Sequence, residues 1–158
     1  MLAKNNLTIK IILSISILSL ISAYVIEYLL GFKPCNLCLI SRYPYIIAII
    51  FILFNLLIYD LKKYNFLFLL ILFFFASIIS VYHVGIENNI FEEGLLCDVG
   101  RIESTNTTDL LKSLKDMPIS CKEVTFKIFG LSLATFNTLL NFFLVSILIY
   151  KLKHYGKN

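Results

Sequence analysis

The sequence predicts an all-α membrane protein, a four-helix transmembrane bundle with two loops on the non-cytoplasmic side. Three observations predict it. Of 158 residues, 59% are hydrophobic and 15% charged, against roughly half and a quarter in soluble domains. The stretches Ile9–Leu30, Tyr43–Tyr59, Phe66–Ile86 and Phe129–Tyr150 come close to or exceed the roughly 20 apolar residues that cross about 30 Å of hydrocarbon. The connections between them, 31–42, 60–65 and 87–128, hold most of the charge. Residues 1–158 therefore read as a single transmembrane domain, with 31–42 and 87–128 as the outer loops.

Orientation follows from where Lys and Arg fall. The tails and the 60–65 turn hold Lys4, Lys10, Lys62, Lys63, Lys151, Lys153 and Lys157; the other side holds Lys33, Arg42, Arg101, Lys112, Lys115, Lys122 and Lys127. The counts tie, but the first set crowds short segments beside span ends, whereas the second is diluted by acids through one long loop. Short-loop density marks the cytoplasmic side, so both termini are expected there. All the cysteines then fall in the opposite loops, where disulfides persist.

Taken in order, the first run is longer than the about 7 to 15 apolar residues of a secretory signal and reads as a span. Ser19, Ser22, Ala23 and Ile26 recur at helical spacing and predict a small-residue face for close helix contact. Glu27, near the outer end, is either an interfacial residue or a helper to the adjoining loop. Gly31 ends the helix, Pro34 stiffens the approach to Cys35, and Pro44 suits the first turn of the next helix. Residues 60–65 are short enough only for a hairpin connection. In the third span, Phe73, Phe74 and Phe75 read as core or lipid contact. The segment 87–127 is too small for a core of its own and must be pinned elsewhere. Within it, Leu110, Leu111 and Leu114 read as one side of a short interfacial helix or as part of a solvated loop. Asn106-Thr107-Thr108 matches a glycosylation acceptor, a pattern common by chance.

The chemistry concentrates in Cys35-Asn36-Leu37-Cys38. Two thiols at this spacing close a small ring that alternates between dithiol and disulfide, and such motifs depress a thiol pKa. The same residues would also suit an inert disulfide, or zinc if two further ligands stood at matching spacing, and no second such pair does. Arg42, one turn beyond Cys38, can aim its guanidinium at the dithiol to stabilise a thiolate or hydrogen-bond a carbonyl acceptor, or can anchor a helix end at the interface. His83 and Glu87 stand one helical turn apart at the outer end of the third span, placed for proton-coupled electron transfer or simply interfacial.

Lys33-Pro34-Cys35-Asn36-Leu37-Cys38-Leu39-Ile40-Ser41-Arg42 resembles the Pro-Cys-X-Leu-Cys-X-X-X-Arg segment of the disulfide bond formation protein B (DsbB) family, bacterial inner-membrane thiol oxidases. Tyr82-His83-Val84-Gly85-Ile86-Glu87 is similar to that family's third-helix end, and Cys121-Lys122-Glu123 leading to Phe129-Gly130-Leu131-Ser132 to its fourth-helix entry. Ser41 stands where the family usually has Glu or Gln, and the chain has no Trp.

The resemblance implies a protein-dithiol:quinone oxidoreductase in the bacterial inner membrane, with the cysteine loops in the periplasm. Its catalytic residues would be Cys35, Cys38, Cys97 and Cys121, with Arg42 and His83 toward a bound quinone, ubiquinone or menaquinone. A thioredoxin-like periplasmic oxidant (DsbA-like) would reduce a Cys97–Cys121 disulfide through Cys97, and electrons would pass through Cys35 and Cys38 to the membrane quinone pool. Neither a metal nor a nucleic-acid partner is expected. The rival classes are a structural or assembly membrane protein with inert disulfides, and a transporter using Glu27, His83 and Glu87.

Overall fold

The computed structural model describes residues 2–58, 63–94, 97, 120–123, 126–128 and 130–155. Helix α1 runs Leu2–Tyr24 and passes directly into a π-helical turn, Val25–Leu29. A five-residue helix α2, Asn36–Ile40, leads through Ser41 and Arg42 into α3, Tyr43–Ile58. Helix α4 spans Lys63–Glu87. Strands β1, Lys127–Ile128, and β2, Leu131–Ser132, pair antiparallel with Lys127 opposite Ser132. Helix α5, Leu133–Lys153, completes the bundle.

Among the described residues, four helical segments are long and apolar enough to cross a membrane: Leu7–Leu29, Asn36–Leu57, Lys63–Glu87 and Leu133–Lys153. The second reaches back through the dithiol turn, because α2 and α3 are separated only by Ser41 and Arg42. The all-α bundle expected from hydropathy is therefore present. The two-residue strand pair is an addition to it, reversing the chain at Gly130, whose φ of 81° is open to glycine without strain. The segment 109–115, the glycosylation acceptor at Asn106, Asp98 and Arg101 lie outside the described residues.

Helix packing joins α1 to α3, α3 to α4, and most extensively α4 to α5. The buried core draws Ile9 and Ile12 from α1, Tyr45, Ala48 and Ile52 from α3, Phe66, Leu69 and Phe73 from α4, and Leu144 and Leu148 from α5. Lipid tails are as apolar as these side chains, so close van der Waals fit rather than exclusion from water holds them together. Phe73 is buried whereas Phe74 and Phe75 face outward, so the Phe run divides between core and lipid faces.

Contacts at the two ends fix the alternation of the helices. Asn65 donates to the Asn55 side-chain oxygen at 2.7 Å and the Phe66 ring packs tilted against Tyr155 at one end. Glu27 meets Arg42, and Glu87 meets Ser132, at the other. That second end holds the cysteines.

Candidate functional site

The dithiol turn is shaped by its own first residue. Cys35 is extended, with φ −75° and ψ 168°, and caps α2 by accepting the backbone N–H of Cys38 at 3.3 Å. This places the two sulfurs 2.9 Å apart, Cys35 buried and Cys38 half-buried. His83 of α4 brings Nε2 to 3.4 Å from the Cys35 sulfur. The hydrogen bond with Cys38 and then His83 pull the Cys35 thiol down to about 4 against burial, which raises it. Cys35 is thus held as a thiolate, the nucleophilic form.

Cys97 and Cys121 form a disulfide with Cα atoms 6.0 Å apart. Both lie in one buried cluster with Cys35, Leu37 and Ile86. Asn36 donates to the Cys97 carbonyl at 3.3 Å, tying the second pair to the first. On the other flank, Glu93 accepts from the Ser120 hydroxyl and from the Lys122 backbone N–H at 3.0 Å. Those bonds hold the Glu93 carboxyl below its usual range, the Ser120 hydroxyl first among them.

Cys38 packs against the same cluster and also lines a cavity of about 380 Å³ among the helices. Its walls are mostly apolar, with Cys38, Arg42 and His83 at the cysteine end and Tyr45 and Asn137 among its polar groups. Arg42 Nη1 pairs with Glu27 Oε2 at 2.5 Å, and its guanidinium lies 5.0 Å from the centre of the Tyr24 ring. Glu87 Oε1 is 3.8 Å from His83 Nε2, while Glu87 Oε2 accepts from Ser132 at 2.5 Å. Ser132 in turn caps α5 by accepting from Thr135 N at 3.2 Å.

All the cysteines singled out in the sequence, together with Arg42 and His83, therefore meet at one end of the bundle. Several relationships differ from the sequence reading. The thiolate's neighbours are Cys38 and His83, while the Arg42 guanidinium is engaged by Glu27 and Tyr24. Ser19, Ser22, Ala23 and Ile26, read as a packing face, instead line the cavity, where their small size leaves the space open. Tyr45 and Asn137 escaped the reading altogether. Their signal was polarity inside otherwise apolar spans.

The site also offers metal-ligand chemistry, since the ligand atoms of Cys35, Cys38 and His83 lie within 4.8 Å of one another. That supplies three of the four ligands of a closed tetrahedral zinc site. For a flat, apolar ring bearing carbonyl oxygens, the cavity fits in kind: apolar walls, a fixed cation, and a redox-capable sulfur opening into it.

A protein of uncharacterised function from Rickettsia prowazekii (strain Madrid E) is 34% identical over 141 residues, covering 87% of this chain and 82% of its own length. No solved structure matches the chain. The family model for disulfide bond formation protein DsbB matches residues 5–151. With its membrane-spanning bundle and its cysteine-bearing end, the chain belongs to the DsbB family of disulfide-forming oxidoreductases.

Proposed function

We propose that the protein is a protein-dithiol:quinone oxidoreductase, which oxidises a thioredoxin-like partner and passes two electrons through two cysteine pairs to a membrane quinone. The observation that supports this reading is the position of the dithiol turn between the second cysteine pair and the cavity: Cys35 is buried with Cys97 and Cys121, and Cys38, packed against that cluster, also lines the cavity. The orientation inferred from Lys and Arg puts the cysteine loops in the periplasm of a bacterial inner membrane and both termini in the cytoplasm.

In this relay a partner thiolate attacks Cys97, forming a mixed disulfide and releasing Cys121 as thiolate. The partner's second thiol then displaces Cys97, so the partner leaves oxidised and Cys97 and Cys121 are left as thiols. Attack by one of these on a Cys35–Cys38 disulfide, and closure by the other, restores Cys97–Cys121 and leaves Cys35 and Cys38 reduced. That is the pairing seen here, with Cys97–Cys121 bonded and the first pair free.

A quinone, when bound, accepts two electrons and two protons. The remaining roles belong to the chain. His83 Nε2, 3.4 Å from the Cys35 sulfur, is placed to take the proton the thiol releases, and Glu87 Oε1 stands 3.8 Å from the same nitrogen. Arg42 presents a fixed charge toward a carbonyl oxygen. Apolar walls exclude water. A quinone also suits the energetics, since DsbA-type oxidants sit near about −120 mV, far above the roughly −300 mV of structural disulfides.

The test is to follow quinone reduction by the purified protein with a reduced thioredoxin-like donor. Wild type reduces quinone, and Cys35→Ser and Cys38→Ser each abolish it. Full activity in either variant would overturn the reading in favour of inert disulfides.

A further inference from the structure

Beyond Arg42, the cavity has a second polar feature, built by three helices. Tyr45 of α3, Asn137 of α5 and Ser19 of α1 all line it. The Tyr45 hydroxyl lies 2.7 Å from the Asn137 side-chain oxygen and 3.1 Å from the Asn141 side-chain oxygen, and Ser19 hydrogen-bonds the same hydroxyl. Asn141, fully buried, continues the chain of contacts to Ser80 at 3.4 Å. Polar groups within a membrane span are costly unless partnered, and they mark function or packing specificity.

Hydrogen counting determines which group of Asn137 faces the cavity. A phenol has one proton and cannot donate fully to two carbonyl oxygens. The 2.7 Å contact has the length of a well-formed O–H···O bond, whereas 3.1 Å is long for one. The proton therefore goes to the nearer Asn137 oxygen, while the Asn141 NH₂ donates to Ser80. This fixes the Asn137 carbonyl on Tyr45 and leaves its NH₂ without a protein acceptor among the described residues. A two-proton donor left unmatched beside an apolar cavity calls for an acceptor on whatever fills it.

Position says which acceptor. Arg42 immediately precedes α3, its carbonyl accepting from Ile46 N at 3.2 Å, and Tyr45 lies in the first turn of that helix. The guanidinium and the Asn137 amide, held by Tyr45, are thus two separate donors on the wall of one cavity. The two carbonyl oxygens of a para-quinone project from opposite sides of its ring. We propose that Asn137 donates a side-chain N–H to the second carbonyl oxygen of a para-quinone whose first carbonyl faces Arg42, so that the ring is held at both ends. This rests on the quinone reading of the cavity, and it assigns Asn137 as a binding residue and Tyr45 as the residue that positions it.

The test uses ubiquinone-1 with ¹³C at one or the other carbonyl, bound to detergent-solubilised full-length protein. Binding is followed by thermal-shift titration, and carbonyl hydrogen bonding by infrared difference spectroscopy. Wild type should show both carbonyl bands at lower frequency than in detergent alone. Asn137→Leu should return one band to its free position, leave the other shifted, and weaken binding about tenfold, which corresponds to ~1.4 kcal/mol. Asn137→Thr, a milder change that keeps a shorter donor, should give an intermediate shift of the same band, and it serves if the Leu variant does not fold. Exchange between the two cysteine pairs, followed by thiol trapping, should be unchanged in both. Unaltered carbonyl bands and affinity in the variants would overturn the proposal while leaving the quinone reading intact. Failure of wild type to bind either ubiquinone-1 or menaquinone-1 would overturn both.

Discussion

Arg42 and Glu27 meet in the wall of the cavity, Nη1 to Oε2 at 2.5 Å, one from the link between α2 and α3 and the other from the π-helical turn after α1. Their side chains are 12% and 20% exposed. With so little water available, stranding either charge costs more than removing both. In a double-mutant cycle, Glu27→Gln and Arg42→Gln should each lower the melting temperature, and the double variant should lose less than the sum. A coupling of about 1 to 3 kcal/mol is expected. Strict additivity would show that the pair contributes nothing. Arg42→Ala should also raise the quinone KM about tenfold while kcat changes less, as loss of one charge-assisted contact predicts.

The Cys35 thiol should alkylate at mildly acidic pH. The hydrogen bond with Cys38 and then His83 bring its pKa down to about 4 from the ordinary thiol range, so the thiolate is present above about 4 and is lost as pH falls through that value. In stability terms, the contribution is complete above the unfolded value near 9 and disappears on acidification through the folded one. Iodoacetamide labelling of the reduced protein should therefore remain fast at pH 6. Cys38→Ala should move the labelling midpoint upward, and His83→Gln should move it upward by less. A midpoint near that of free cysteine in wild type would refute this account of the site.

Communication between the cysteine pairs should depend on Asn36, which donates to the Cys97 carbonyl at 3.3 Å. Asn36→Ala should slow exchange between the pairs several-fold in thiol-trapping experiments, with the quinone KM unchanged. Cys121→Ser should accumulate a mixed disulfide between Cys97 and the thiol partner. If the adduct forms equally on Cys35, Cys97 is not the entry point.

Glu93 should make the contacts around Cys121 sensitive to acid. Its carboxyl is depressed by the Ser120 hydroxyl and the Lys122 N–H, so the attachment is intact at neutral pH and lost as pH falls below the usual carboxylate range. Hydrogen exchange at residues 120–123 should rise on acidification. In Glu93→Gln the same amides should exchange faster at pH 7 and lose most of that acid dependence. Identical exchange in the two proteins would remove Glu93 from the role.

Gly85 provides a packing test. Its carbonyl accepts from Ile90 N at 2.8 Å and Phe91 N at 3.3 Å, and a Cβ built on it would collide with the Phe91 ring. Gly85→Ala should destabilise by about 1 to 3 kcal/mol, as overpacking does. Adding Phe91→Ala should recover part of the loss in thermal melting. No recovery would place the cost in the helix rather than in this contact.

Hydropathy made the spanning helices legible because each must contain its own backbone hydrogen bonds in lipid. The spacing of Cys35 and Cys38, with Arg42 one turn on, made the chemistry legible because it is local. What stayed hidden depends on contacts between distant residues. Tyr45 meets Asn137 across 92 positions and Cys35 meets His83 across 48. Ser19, Ser22 and Ala23 illustrate a different difficulty: small residues permit either close packing or an open space, and only the neighbouring helices decide between them. The Glu27–Arg42 pair was within reach, since two opposite charges near the same membrane face are natural partners.

The π-helical turn at Val25–Leu29 has a consequence for how this end of the chain tolerates change. Such a turn closes i→i+5 bonds in place of i→i+4 and so takes up an extra residue. Remove one residue from the α-helical part of α1, and everything beyond it rotates by about 100°. Phe32, whose N–H reaches back to the Ile26 carbonyl at 3.2 Å, and the dithiol loop that follows would swing with it. Remove one from the π-helical turn, and an α-turn can close in its place with the loop keeping its bearing, so this is the one stretch of the first span where the count of residues has slack.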